Sequence, residues 1–126
     1  MNNQLRTAIG TKGQSVSSLT GGFYYLEAKQ KCAYPYAVFS FVNNSFSRDS
    51  ATKFEEFYLQ INVYDTDGER IETVKENLFN EFDDSESSFN LADYHLDRIE
   101  KQFSKAFKAD KVFQISTQYK IELTKK

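Results

Sequence analysis

Apolar and polar side chains alternate along two long stretches of this chain. From Phe54 to Tyr64, Phe57, Leu59, Ile61 and Val63 fall on one side, with Tyr58, Gln60, Asn62 and Tyr64 on the other. From Phe113 to Leu123, Phe113, Ile115, Thr117, Tyr119, Ile121 and Leu123 alternate with Gln114, Ser116, Gln118, Lys120 and Glu122. A period of two with one apolar side predicts a half-buried β-strand in each place. A third stretch, "YPYAVFSFV" (34–42), behaves differently. Pro35 reads as the first residue of a strand, where no ladder N–H is needed. Beyond it both alternating sets are apolar, Tyr36, Val38 and Val42 against Ala37, Phe39 and Phe41. A strand apolar on both sides is expected to be covered on both sides, by its own chain or by a neighbouring subunit.

Helical spacing appears twice. Leu5, Ile9, Lys12, Val16 and Leu19 recur on one face with a single polar lapse, which predicts a first helix. Gly10 and Gly13 each cost about 1 kcal/mol against alanine, so a break is expected there, and Gly21 and Gly22 end the helix. Ile71, Val74, Leu78, Phe79 and Phe82 predict a second, clearly amphipathic helix that ends near "DDSESS". Thr66 and Glu69 stand at the spacing of a capping box at its start. "FYYLEA" (23–28) reads as a short strand and "NNSFSRDSATK" (43–53) as a polar loop. The loop is long enough to be expected to order against a partner. Leu96, Ile99, Phe103 and Phe107 fit a helix, yet residues 94–107 also fit a hairpin arm that turns at "KADK" (108–111). The long final strand wants a partner of similar length and favours the hairpin.

These elements predict one α+β domain over residues 1–126, an antiparallel β-sheet of about four to five strands packed against two helices. Residues 1–3 and 124–126 are expected to fray. With 126 residues, 12 Phe and 8 Tyr, the chain can form its own core, and the surplus of aromatics suits an interface. The formal charge of −2 gives no global basic field for duplex DNA. The single Cys32 excludes an intramolecular disulfide and suits synthesis in a reducing cytoplasm. No signal-peptide core and no run of about 20 apolar residues is present, so no membrane role is expected.

Candidate chemistry is sparse. His95 is the only histidine, and no residue at a recognisable spacing would orient a Cys32–His95 pair as nucleophile and base. "DTDG" resembles part of a calcium loop, but Val63 and Val74 would then occupy positions that need carboxylates. "GTKGQS" lacks phosphate-loop spacing. Lys101, Lys105, Lys108 and Lys111 alternate with Phe103 and Phe107, a pattern that can stack single-stranded nucleic acid. A solvated lysine face that blunts edge pairing is favoured instead. No catalytic residue, cofactor or metal site is assigned, and no enzymatic activity is expected.

Taken in order, "LRTAI", "LTGGFYYLEA", "YPYAVFSF", "YLQINVYD", "IETVKENLF", "YHLDRIEKQF" and "VFQISTQYKIEL" resemble the tail terminator, or tail completion (tail-to-head joining), proteins of long-tailed bacteriophages and prophages. The resemblance spans roughly residues 4–123 and rests on spacing and apolar type. It implies a virion structural protein that caps the tail tube as a ring, usually of six subunits, at the tail–neck junction. It implies no cofactor. Its partners would be further copies of itself, the tail tube protein and a neck or head-completion protein, with DNA only as cargo passing through the ring. It would be made in the host cytoplasm. Candidate residues for the oligomer or partner interface are Tyr36, Phe39, Phe41, Phe46, Arg48 and Lys53. The alternative is a small non-viral dimeric module that holds an apolar ligand between sheet and helix.

Overall fold

The two alternating strands send their apolar sets to one side of a sheet, and everything else is arranged to cover that side. The computed structural model describes residues 3–46 and 54–126, with backbone only at 43–46. The order of elements is α1 (Asn3–Gln14), β1 (Gly22–Tyr25), β2 (Tyr36–Phe46), β3 (Phe54–Asp65), α2 (Gly68–Phe82), β4 (Tyr94–Ala109) and β5 (Val112–Lys125). A 3₁₀ turn at Glu86–Ser88 leads into β4. The sheet has five strands in the order β1-β2-β3-β5-β4. This is a single small α+β domain with two helices, as the patterning implies.

Phe57, Leu59, Ile61 and Val63 of β3 and Ile115, Tyr119, Ile121 and Leu123 of β5 are buried under the helices. Helix α1 adds Leu5 and Ile9, and α2 adds Ile71, Val74, Leu78 and Phe82. A column of rings ties the layers together. Phe23 of β1 stacks on Phe39 of β2 at 5.0 Å between centroids. It lies 6.3 Å from Phe82 of α2, which lies 6.1 Å from Tyr119 of β5. The Tyr119 hydroxyl donates to Asp83 Oδ1 at 2.7 Å, and Lys101 Nζ reaches the other oxygen of that carboxylate at 3.1 Å. Burial, followed by the bond to Asp83, holds the Tyr119 phenol far above its usual range, so it stays a neutral donor.

Several expectations change in three dimensions. The sheet is mixed, not wholly antiparallel, because β1 pairs β2 in parallel, Gly22 opposite Tyr36. The cause is local. Gly21 N donates to Pro35 O at 2.8 Å, and a β-carbon on Gly21 would sit 1.7 Å from Ala33 O. That approach places the starts of β1 and β2 side by side. Neither Gly10 nor Gly13 breaks α1, which instead ends at Gln14; Val16 and Leu19 are buried by tight turns beyond it. The first strand stops at Tyr25. Residues 43–46, read as loop, continue β2 after a bulge between Phe41 and Asn43; 47–53 lie outside the described residues. The C-terminus is paired as far as Lys125. The hairpin reading of 94–107 holds, with β4 running to Ala109 and the turn at Asp110 and Lys111.

The cap of α2 shifts by one residue. Asp67, not Thr66, accepts from Glu69 N and Arg70 N, at 3.0 and 3.1 Å. The Thr66 amide is taken by the fully buried Asp65, which also accepts from the Asp67 amide and from Arg70 Nε and Nη2. Both aspartates of "DTDG" are thereby spent on backbone and arginine. Burial pushes the Asp65 carboxyl up, but the Arg70 bonds, the two amides and the Arg70 charge outweigh it and hold it below the usual carboxylate range.

Two predictions follow from these contacts. A depressed carboxyl stabilises the fold above its unfolded value, near about 4, and that contribution is lost as pH falls through the folded value. Asp65→Asn is expected to lower unfolding free energy by about 2 kcal/mol at pH 7, and the gap to wild type to close below about pH 4 in urea titrations. A gap independent of pH would contradict this. The glycines of α1 are expected to diverge. At Gly10 a β-carbon meets Phe39 at 3.8 Å, an ordinary contact, so Gly10→Ala should stabilise by about 0.5–1 kcal/mol. At Gly13 it meets the Phe23 ring at 2.2 Å, so Gly13→Ala must displace the ring column and should destabilise. Thermal melts of both variants decide it.

Candidate assembly surface

Both helices pack on the same face of the sheet, which leaves the opposite face without cover from any described element. Strand pairing composes that face row by row. Tyr36, Tyr64, Gln114 and Phe107 form one row across β2, β3, β5 and β4. Val38, Asn62, Ser116 and Lys105 form the next, and Ser40, Gln60, Gln118 and Phe103 a third. The polar partners of the two clean alternations thus meet side by side.

Amides and hydroxyls on the face bond to one another. Gln60 Nε2 and Ser116 Oγ donate to Asn62 Oδ1 at 3.1 and 2.6 Å, and Gln114 Nε2 donates to Ser116 Oγ at 3.0 Å. The Tyr36 and Tyr64 rings stack at 5.0 Å, with Tyr34 5.6 Å from Tyr36. Burial, with smaller contributions from Cys32, Tyr34 and Tyr64, raises the Tyr36 phenol; burial alone raises Tyr64. Both are neutral at physiological pH. Charge gathers at one end, where Lys120 lies 3.7 Å from Glu56 and 3.5 Å from Glu122, and Tyr58 OH donates to Glu56 at 2.8 Å. Away from that end the surface is largely ring and amide and, apart from Lys105, uncharged. Such a surface suits contact with protein, where aromatic side chains supply area at small entropic cost.

The candidate interface residues divide. Tyr36 lies on the uncovered face. Phe39 does not: it is 2% exposed and belongs to the ring column. Phe41 points to the helix side, 5.7 Å from Phe57 and 6.5 Å from Tyr25. Phe46 is in the last residue of β2, whose backbone alone is described, and Arg48 and Lys53 lie outside the described residues. Among the described residues the doubly apolar strand is therefore covered by its own chain on one side only. Its outward residues Tyr36 and Val38 are half-buried among sheet neighbours, and Val42 at the bulge is half exposed. Phe103 and Phe107 are 41% and 50% exposed and stand on the same outward face. Sequence patterning read the polar sets of β3 and β5 as the unburied sides of half-buried strands and expected cover only over Tyr36 and its β2 neighbours; the lateral pairing that joins the tyrosines, amides and β4 aromatics into one face is non-local.

Other candidate chemistry is separated or spent. Cys32 sits beside Tyr36 at the β1–β2 edge, whereas His95 is exposed on β4 at the opposite edge, so the two do not meet. The space between α2 and the sheet, lined by Ile61, Leu78, Phe79 and Tyr119 among others, amounts to about 10 Å³. That is room for at most one water.

No family model and no curated protein sequence matches this chain. Solved structures match in fold. One is a chain in the virion of a native gene transfer agent particle, 11% identical, with a TM-score of 0.74 over 95% of this chain and 94% of that one. Another, for which no function is stated, is 16% identical, with a TM-score of 0.62 over 98% of this chain and 94% of its own length. What this chain shares with both is the fold, along nearly its whole length.

Proposed function

We propose that this protein is a virion structural component of the tail-terminator kind, a ring-forming subunit that caps the tail tube and joins it to the neck. The observation that carries the reading is the near end-to-end likeness in fold to a chain of a gene transfer agent virion, with almost nothing left over on either side. The uncovered face of tyrosines and amides supports it, since a small domain gains little from keeping such a face to itself. In this reading the face meets a neighbouring subunit or the tail tube, DNA passes through the ring, and no catalytic group is required. The ring is expected to be hexameric and to sit at the tail–neck junction of the particle. The ligand-module alternative has no room between the sheet and α2, where the space is filled. The one space between sheet and helix that the described residues leave it is the open groove of about 240 Å³ between α1 and the sheet, lined by Arg6, Gln14, Phe23, Tyr25 and Phe39 among others.

Mass photometry over a range of concentrations, alone and with the cognate tail tube protein, tests this. The wild type should form a ring-sized species in at least one condition. Tyr36→Glu should give a protein with unchanged circular dichroism that fails to assemble, because losing one large aromatic at a contact costs about 2–4 kcal/mol. Phe41→Glu, which puts a charge against Phe57 and Tyr25, should lower the melting temperature instead. A wild type that stays monomeric throughout would overturn the reading.

A further inference from the structure

We infer that the lysine-bearing half of the β4–β5 hairpin is the part of this subunit that seats on a second copy of the chain, at the acidic shoulder where α2 ends and β4 begins. This rests on the ring reading and names its subunit contact.

The arm is exposed in a way nothing else among the described residues is. Every side chain from Lys101 to Lys111 is exposed. β4 is an edge strand, so no described strand lies beside its outward N–H and C=O groups. Lys101 is bonded to Asp83 of its own subunit, which leaves Lys105, Lys108 and Lys111 against the single Asp110, in a chain whose acids outnumber its bases 18 to 16. Phe103 and Phe107 lie between the lysines, with Lys105 between the two rings on the same outward face. A segment with this excess of cations favours a partner surface that is acidic.

The same chain carries a surface of the opposite charge. A concave shoulder is lined by Asp83, Asp84, Glu86 and Glu100, with Arg98, Ile99 and Lys101. Four carboxylates stand with two cations there, Asp83 bonded to Lys101, Glu100 paired with Arg98 and Glu86 accepting from the Ile99 amide, so the shoulder keeps an excess of negative charge; the Ile99 side chain itself is buried. The arm cannot fill the shoulder of its own subunit. Lys101 already stands at the shoulder, bonded to Asp83, and Lys108 lies about 23 Å farther along the strand at about 3.3 Å per residue. The contact is therefore between copies. Pairing two β4 edges symmetrically would set lysine against lysine, which is unfavourable. Arm to shoulder joins two different patches, a head-to-tail contact that generates rings.

Charge reversal tests this on the full chain. One variant carries Lys105→Glu, Lys108→Glu and Lys111→Glu; a second carries Asp84→Lys and Glu100→Lys. Each alone should associate at least tenfold more weakly than wild type by mass photometry. An equimolar mixture should recover the large species, because each reversed arm then meets a reversed shoulder and each native arm a native one. Circular dichroism checks the fold. If a reversal does not fold, the neutral set Lys105→Gln, Lys108→Gln and Lys111→Gln should still weaken association, and by less as salt is raised. A reversed arm that assembles as wild type does overturns the inference while leaving the ring reading intact. So does a mixture that stays monomeric. An arm variant that keeps its mass but loses retention of a DNA oligonucleotide would make the arm a nucleic-acid surface and overturn it as well. A monomeric wild type, alone and with tube protein, removes ring and contact together.

Discussion

The Phe23 ring stands where a β-carbon of residue 13 would otherwise be, and the packing of the helix layer follows from that contact. Glycine at 13 lets α1 close onto the ring; the ring in turn lies flat on Phe39 and near Phe82, and Phe82 reaches Tyr119. One column thus passes through β2, β1, α2 and β5. Helix propensity argues against glycine in a helix interior, but the loss of about 1 kcal/mol is small against the burial of several aromatic rings. The same column explains why α1 ends early. Once Gly13 is seated, the chain descends through tight turns that bury Val16 and Leu19 and deliver Gly21 to Pro35, where only a glycine fits.

At the other end of the sheet, Asp65 does the joining. It is the last residue of β3, fully buried, and it accepts bonds from two amides and from Arg70 in the first turn of α2. A carboxylate so enclosed is tolerable only because every bond it makes favours its charged form. The pair fixes the angle at which α2 leaves the sheet. With α1 held by the ring column and α2 held by Asp65, both helices are committed to one face, and the other face is left to whatever the subunit meets.

That commitment divides the surface by chemistry. The uncovered face is mostly ring and amide, while charge collects at the edges. Lysines run along the far half of β4, and carboxylates gather where α2 ends. A carboxylate at a helix C-terminus is disfavoured by the dipole, yet Asp83 is retained, held by Tyr119 and Lys101. The separation of the two signs over the length of one strand makes opposite ends of the subunit complementary to each other.

Local pattern was enough to read most of the fold. The alternation of β3 and β5, the apolar stripe of α2 and the strand after Pro35 were legible, because burial on one side of a strand or helix imposes its period directly on neighbouring residues; 94–107 fitted helix and hairpin alike, because most of β4 is exposed, and only the length of β5 favoured the hairpin. What the period cannot carry is which strands lie side by side. Nothing in "FYYLEA" says that it pairs in parallel with β2, since that depends on one backbone contact between Gly21 and Pro35. Nothing in residues 43–46 distinguishes loop from strand, because what holds them is β3 across a bulge. The glycines of α1 read as breaks in isolation; neither breaks the helix, and Gly13 proved to be clearance for a ring ten residues away. The candidate surface was legible only at Tyr36. Phe39, equally apolar by sequence, went to the core, because the pleat sends alternate residues to opposite faces and only tertiary packing decides which face the helices take. By itself the sequence determined the elements and their apolar sides. The tertiary structure alone decided which of those sides is left bare, because that depends on where both helices land.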